Sequence, residues 1–148
     1  MDILRYQADY HNELVQLWEA SVLATHHFLE KKDFEAIREM VRSMDFTALD
    51  VYCGFLGNRM AGFIGISGTM IEMLFMHPEM IGKGYGKTLL QFSIEKGAKE
   101  VEVNEQNQPA FCFYKNMGFE VRNRQELDHS GMPYPLLKLV YKEPGAGV

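Results

Sequence analysis

Three glycines at every second position, Gly82, Gly84 and Gly86, lie between an apolar stretch ending at Met76 and an apolar-periodic stretch beginning at Leu89. Glycines at the start of a helix leave backbone N–H groups open to an anion, and the positive end of the helix dipole adds to the attraction. Lys83 and Lys87 set two ammonium groups beside those amides. The chemistry suited to this spacing is capture of a phosphate or diphosphate. Two other phosphate motifs fail on spacing. A Rossmann G-x-G-x-x-G starting at Gly82 needs glycine where Lys87 stands; the Walker pattern G-x-x-x-x-G-K-[ST] finds Gly86, Lys87 and Thr88 but has Ile81 in place of its first glycine. Two further places put titratable groups among apolar neighbours: Glu72 within MIEMLFM, and the pair His26-His27 within ATHHFL.

The elements that must position these residues follow from periodicity. Ile3 to Tyr6 reads as a short strand, and Asp9 as the N-cap of a helix reaching about Leu23 with Leu14, Leu17, Trp18 and Val22 at helical spacing. A second helix is expected from Asp33 to about Met44, with Phe34, Ile37, Val41 and Met44 on one face. The period then shortens to that of strands. Val51 to Leu56, the turn Gly57-Asn58 and Arg59 to Ser67 form a hairpin, and Gly68-Thr69 leads into Met70 to Met76. The apolar run of that third strand predicts a central strand buried on both faces, which makes Glu72 conspicuous. After the glycine loop a helix closes near Gly97, and Val101 and Val103 alternate with Glu100 and Glu102 in a strand. Strand, loop, helix and strand make a βαβ unit, so a parallel pair is expected. Pro109 opens a short helix that Gly118 ends, and Phe119 to Gln125 and Leu136 to Lys142 are final strands. One domain over 1–142 and a loose tail from Glu143 to Val148 complete the reading.

Composition narrows the class. The 148 residues are 47% hydrophobic and 24% charged, a globular composition long enough to bury a core without metals or disulfides. Fifteen Lys and Arg against twenty Asp and Glu give a formal charge of −5, with no basic cluster, so nucleic acid is not an expected partner. Cys53 and Cys112 lack CxxC spacing and read as reduced core thiols. No His, Cys and carboxylate spacing suggests a metal. The N-terminus has no signal pattern and no run approaches the roughly 18 apolar residues of a membrane span, so a cytoplasmic location with no membrane partner is expected.

The passage MHPEMIGKGYGKTLL resembles the diphosphate-binding segment of the GNAT acetyltransferases, whose signature Q/R-x-x-G-x-G/A is met by Gly84 and Gly86. Ile81 departs from it, standing where that family has Arg or Gln, which removes a side-chain donor and leaves the amides. A second passage, VNEQNQPAFCFYKNMGFE, is similar to the family's N-x-x-A-x-x-x-Y-x-x-x-G-F, with Asn107, Ala110, Tyr114, Gly118 and Phe119 in register. The segments SVLATHHFL, VNEQN and PYPLL resemble a small group of compact bacterial members with uncertain substrates.

The resemblance covers nearly the whole chain and implies an α/β GNAT fold. That fold is a mixed, mostly antiparallel sheet of six to seven strands, splayed between the fourth and fifth, with about four helices. It implies an N-acetyltransferase moving acetyl from acetyl-CoA to a primary amine by direct attack in a ternary complex. The alternative is a non-catalytic acyl-CoA-binding or sensing module. Backbone groups of Leu74, Phe75 and Met76 would meet the cofactor's pantetheine. Ile81, Gly82, Lys83, Gly84, Tyr85, Gly86 and Lys87 would hold its diphosphate, and Asn107 would bond the pantetheine, cap the short helix, or do both. Tyr114 takes the place of a general acid, and a phenol with a pKa near 10 suits protonation of a thiolate. Glu72 or His26 would be the base. Burial among apolar neighbours would raise the pKa of Glu72 toward that of a useful base; the alternative to that role is a Glu72 that simply points to the solvated side of the splayed sheet. The acceptor, small molecule or peptide, is left open by the sequence, as are monomer and homodimer.

Overall fold

The computed structural model describes residues 1–143, so the expected loose tail, apart from Glu143, lies outside the described residues. The backbone sorts into two compact units, Met1–Ala98 and Lys99–Val148. The described residues contain seven strands and four α-helices. No helix among them is long and apolar enough to cross a membrane.

The first unit holds strands β1 (Asp2–Arg5), β2 (Asp50–Leu56), β3 (Arg59–Ser67) and β4 (Met70–Met76), antiparallel and in that spatial order. Helices α1 (His11–Thr25), α2 (Lys31–Ser43) and α3 (Tyr85–Glu95) complete it. Leu14, Leu17, Trp18, Ser21 and Val22 of α1 are buried, a stripe of the helical period facing the sheet. Trp18 stacks on Phe34 of α2 with ring centroids 5.8 Å apart and planes 5° from parallel. Helix α1 starts one residue later than Asp9 as N-cap implies. The Tyr10 N–H bonds the Gln7 carbonyl at 2.9 Å, closing a short 3-10 turn over Ala8–Tyr10 that takes Asp9 inside it, and α1 begins at His11 without a side-chain cap.

The doubly buried strand of this unit is β3 rather than β4. Every residue from Met60 to Ile66 is buried, while β4 has only Ile71 in that state. Small residues hide this in the sequence. Gly62 and Gly65 lower the apparent hydrophobicity of β3, yet they let neighbouring side chains lie directly on the strand: a Cβ at Gly62 would sit 2.3 Å from the Met76 sulfur and 2.8 Å from the Phe75 carbonyl.

One residue of β4 is out of step. Gly65 pairs with Met73 and Ile66 with Ile71, so Glu72 is the extra residue of a β-bulge.

The second unit holds β5 (Glu100–Asn104), α4 (Gln108–Asn116), β6 (Phe119–Gln125) and β7 (Leu136–Tyr141), with β7 between β5 and β6 and antiparallel to both. Val101, Val103, Tyr114, Phe119, Tyr134 and Leu139 are the buried hydrophobic side chains among its described residues. Gly118 ends α4 with φ at 97°, as its place in the sequence requires. Of the two cysteines, Cys53 is buried and burial pushes its thiol up to about 12, an inert core group. Cys112 is exposed on α4, which corrects its reading as a core thiol.

Candidate active site

The glycine loop begins where β4 ends. The His77 N–H donates to the Ala61 carbonyl at 2.8 Å, and His77 Nδ1 accepts the Glu79 N–H at 3.2 Å, which stops the strand and starts a single 3-10 turn over Pro78–Met80. Ile81 follows in extended conformation, half exposed. Gly82 and Gly84 then take φ of +83° and +88°, a region that side chains resist, and Tyr85 opens α3. Gly84 is the N-cap residue and no side chain caps the helix, so the first-turn amides are not consumed by a neighbouring oxygen. A Cβ built on either glycine would meet nothing within 4 Å, so the face of the loop is open. Lys83 and Lys87 are exposed beside it. Gly86 is the second residue of α3, inside the helix. Uncapped amides, an open approach and two ammonium groups fit a diphosphate.

Leu74, Phe75 and Met76 lie half-buried on β4 opposite Ile64, Phe63 and Gly62. Glu72, four residues before Met76, is exposed. Of the two placements open to it, the solvated one holds, and the bulge is the reason, because the extra residue leaves the strand's alternation and turns outward.

His26 closes α1, its N–H bonded to the Val22 carbonyl at 2.8 Å. The Thr25 hydroxyl donates to the Ser21 carbonyl at 2.7 Å, so the 2.8 Å contact between that hydroxyl oxygen and His26 Nδ1 has the imidazole as donor. The basic nitrogen is then Nε2. The ring lies 5.3 Å from Phe28 and 6.3 Å from Phe75, so the connector between α1 and α2 is brought onto β4. Desolvation first, and His27 second, lower the His26 pKa to about 4. His26 is neutral at pH 7.

A stability prediction follows. Between the ordinary 6.5 and the folded value of about 4, the unfolded chain takes up a proton at His26 that the folded chain refuses. Stability is therefore lost as pH falls through that window. Thermal midpoints measured from pH 7 to pH 4 should fall less steeply for His26→Gln than for the unsubstituted chain. Parallel curves would contradict the shift.

In the second unit, Asn107 is buried and caps α4, its Oδ1 accepting the Ala110 N–H at 3.2 Å. Tyr114 is buried on α4 with its ring 5.4 Å from Phe119, and burial pushes its phenol well above the usual range. Two contacts escaped the sequence reading. Arg124 of β6 grips the Glu105 carboxylate with Nε and Nη2, and His129 of the β6–β7 loop lies 2.7 Å from Glu102 of β5. Nothing in a single sequence ties residues 19 or 27 positions apart. No group of three or more His, Cys, Asp and Glu among the described residues is placed to hold a metal ion.

Comparison with known proteins addresses the whole arrangement. A family model for the acetyltransferase (GNAT) domain matches residues 46–121. The peptidyl-lysine N-acetyltransferase YjaB of Escherichia coli K12 is 36% identical over 142 residues, 95% of this chain and 97% of the relative. The solution structure of apo-form YjaB from Escherichia coli superposes with a TM-score of 0.89 at 34% identity, covering 97% of this chain and 98% of that one. The PaiA N-acetyltransferase of Thermoplasma acidophilum, solved in complex with coenzyme A, shares the fold at a TM-score of 0.71 and 21% identity, over 95% of this chain and all of that one. With a family model matching residues 46–121 and a 36% identical relative along 95% of its length, the chain belongs to the GNAT family and is an N-acetyltransferase with that family's fold.

Proposed function

We propose that this enzyme transfers the acetyl group of acetyl-CoA to the side-chain amine of lysine in a peptide or protein, by direct attack without a covalent enzyme intermediate. The observation that carries the acceptor class is the likeness to a peptidyl-lysine N-acetyltransferase along 95% of the chain. The open, positively charged face of the glycine loop supports the choice of donor.

Acetyl-CoA, as the bound cosubstrate, supplies an activated thioester. The amides of the loop from Ile81 to Lys87, with the Lys83 and Lys87 ammonium groups, hold its diphosphate; Ile81 contributes backbone alone. Backbone groups of Leu74, Phe75 and Met76 orient the pantetheine arm, and Asn107 supports it while capping α4. Tyr114 returns a proton to the sulfur. A lysine ammonium has an ordinary pKa near 10.4, so a base must first take its proton. Glu72, turned outward by the bulge, is suited to do this directly or through a water. His26 is neutral, but its ring lies against Phe28 and Phe75, where the charge of an accepted proton is poorly solvated. Glu72→Gln is therefore expected to lower kcat/KM by about tenfold or more, with His26→Gln costing less. A reversed order of the two variants assigns the base to His26.

The function itself is tested by incubating the protein and acetyl-CoA with lysine-containing peptides and with small amines, following thiol release and locating the acetyl group by mass spectrometry. Acetyl on a lysine side chain is the expected result. Turnover confined to small amines overturns the acceptor class. CoA binding without thiol release on any acceptor favours the acyl-CoA-sensing alternative.

A further inference from the structure

The link between β5 and α4 is short, and its polar groups are almost all engaged. Glu105 follows directly on β5. Its carboxylate receives two donors from one edge of the Arg124 guanidinium, Nε to Oε2 and Nη2 to Oε1, the second at 3.0 Å. Such fork-on-fork pairing fixes direction as well as distance. The backbone of Glu105 is also used twice: its N–H donates to the Pro135 carbonyl at 2.9 Å, and its carbonyl accepts from Gln108 Nε2 at 2.9 Å. Two residues on, the Asn107 N–H donates to the Asn104 carbonyl at 2.9 Å while its side chain caps α4. The link is thus tied to the segment before β7, to the first turn of α4 and, through Arg124, to β6.

An exposed ion pair contributes little to global stability, about 0.2–1 kcal/mol. Its effect on a local arrangement is another matter. Arg124 is the side chain that ties the link to β6, and β6 is paired along its length with β7, so the clamp transfers the rigidity of the sheet to the residues that deliver Asn107. The guanidinium hydrogen bond holds the Glu105 carboxyl below the usual carboxylate range, so the pair stays ionised through neutral and mildly acidic pH.

We propose that Glu105 and Arg124 are positioning residues for coenzyme binding: their ion pair holds the 104–107 link in the one arrangement that presents Asn107 to the cofactor. This rests on the reading of Asn107 as a cofactor-holding residue.

The test is titration calorimetry of the full chain with CoA, alongside steady-state kinetics and thermal unfolding. Arg124→Gln should weaken CoA binding about three- to fivefold, the span that an exposed pair can supply. KM for acetyl-CoA should rise in parallel, with kcat held and the melting temperature moved by no more than a few degrees. Arg124→Lys should recover only part of the affinity, since an ammonium lacks the fork. Glu105→Arg combined with Arg124→Glu should recover most of it. That double variant separates positioning from a direct contact of Arg124 with phosphate, which a glutamate at 124 would worsen. Unchanged CoA affinity in Arg124→Gln where Asn107→Ala weakens binding, or a loss that charge reversal deepens, overturns the positioning role alone; unchanged affinity in both variants overturns the reading of Asn107. An unsubstituted chain that does not bind CoA overturns the underlying reading with it.

Discussion

Replacing Gly84 with valine is expected to abolish CoA binding at ordinary concentrations while the chain remains folded. Gly84 holds φ at +88°, where a β-branched residue is strained by about 1–3 kcal/mol. A Cβ there meets no protein atom within 4 Å, so the core is not disturbed and the cost is confined to the loop. The loop can relieve the strain only by moving back to negative φ, which rotates the amide between Gly84 and Tyr85 away from the open face. If it does not relax, the valine methyls occupy the space through which phosphate oxygens approach the backbone. Either response removes the ligand's seat, and a loss of about 100-fold or more in affinity is expected. Calorimetry with CoA measures it, and circular dichroism checks that the fold persists. Affinity within about threefold of the unsubstituted chain would take the loop out of the site.

Tyr114→Phe should leave CoA affinity unchanged and lower kcat by about 100-fold or more, the range that a lost proton donor costs. Phenylalanine keeps the ring that packs on Phe119, so folding is preserved. Burial lifts the Tyr114 pKa, which keeps the phenol protonated at every pH where the enzyme is expected to work. The same apolar surroundings would raise the pKa of a thiolate brought beside it, so donor and acceptor rise together. Since the protonated form is the active one and its folded pKa lies above the ordinary 10, the kcat profile should show no alkaline decline from this residue below about pH 10. Undiminished turnover in the variant, or a decline near pH 8 that the variant abolishes, would contradict the assignment.

Much of this fold was legible because its punctuation is strong. Gly57-Asn58, Gly68-Thr69 and Pro109 each mark a boundary that the backbone respects, and β3 and β4 run over the stretches their alternation suggests. The family membership rested on two short passages, and glycine, asparagine and tyrosine at fixed offsets carry more information than any hydrophobic pattern. What failed had local causes. Asp9 lost its capping place to a 3-10 turn that no propensity distinguishes from a helix start. The ranking of β3 and β4 by burial was inverted because glycine and alanine count as weakly apolar even when fully enclosed. Glu72 was read as a charge inside a strand, when a shift in pairing takes it out of the strand's alternation. Charged contacts such as Arg124 with Glu105 leave no signal in a single sequence, since any exposed arginine has many possible partners.

Because cross-strand partners share a face, the pairing around Glu72 also divides β4 into two phases. Ile71 stands opposite Ile66 and Met73 opposite Gly65, which are neighbours on β3 and point to opposite sides. Ile71 and Met73, two positions apart, therefore point to opposite sides as well. Residues 70–71 and 73–76 behave as separate reading frames joined at one residue. Deleting position 72 would remove only the spare residue: Ile71 and Met73 would become neighbours opposite Ile66 and Gly65, and the side chains on both sides of the join would keep their faces. The carboxylate therefore rides on a position that the pairing of the sheet does not need, whereas a deletion within 73–76 has no spare residue beside it and would turn part of the half asked to hold the cofactor to the wrong face.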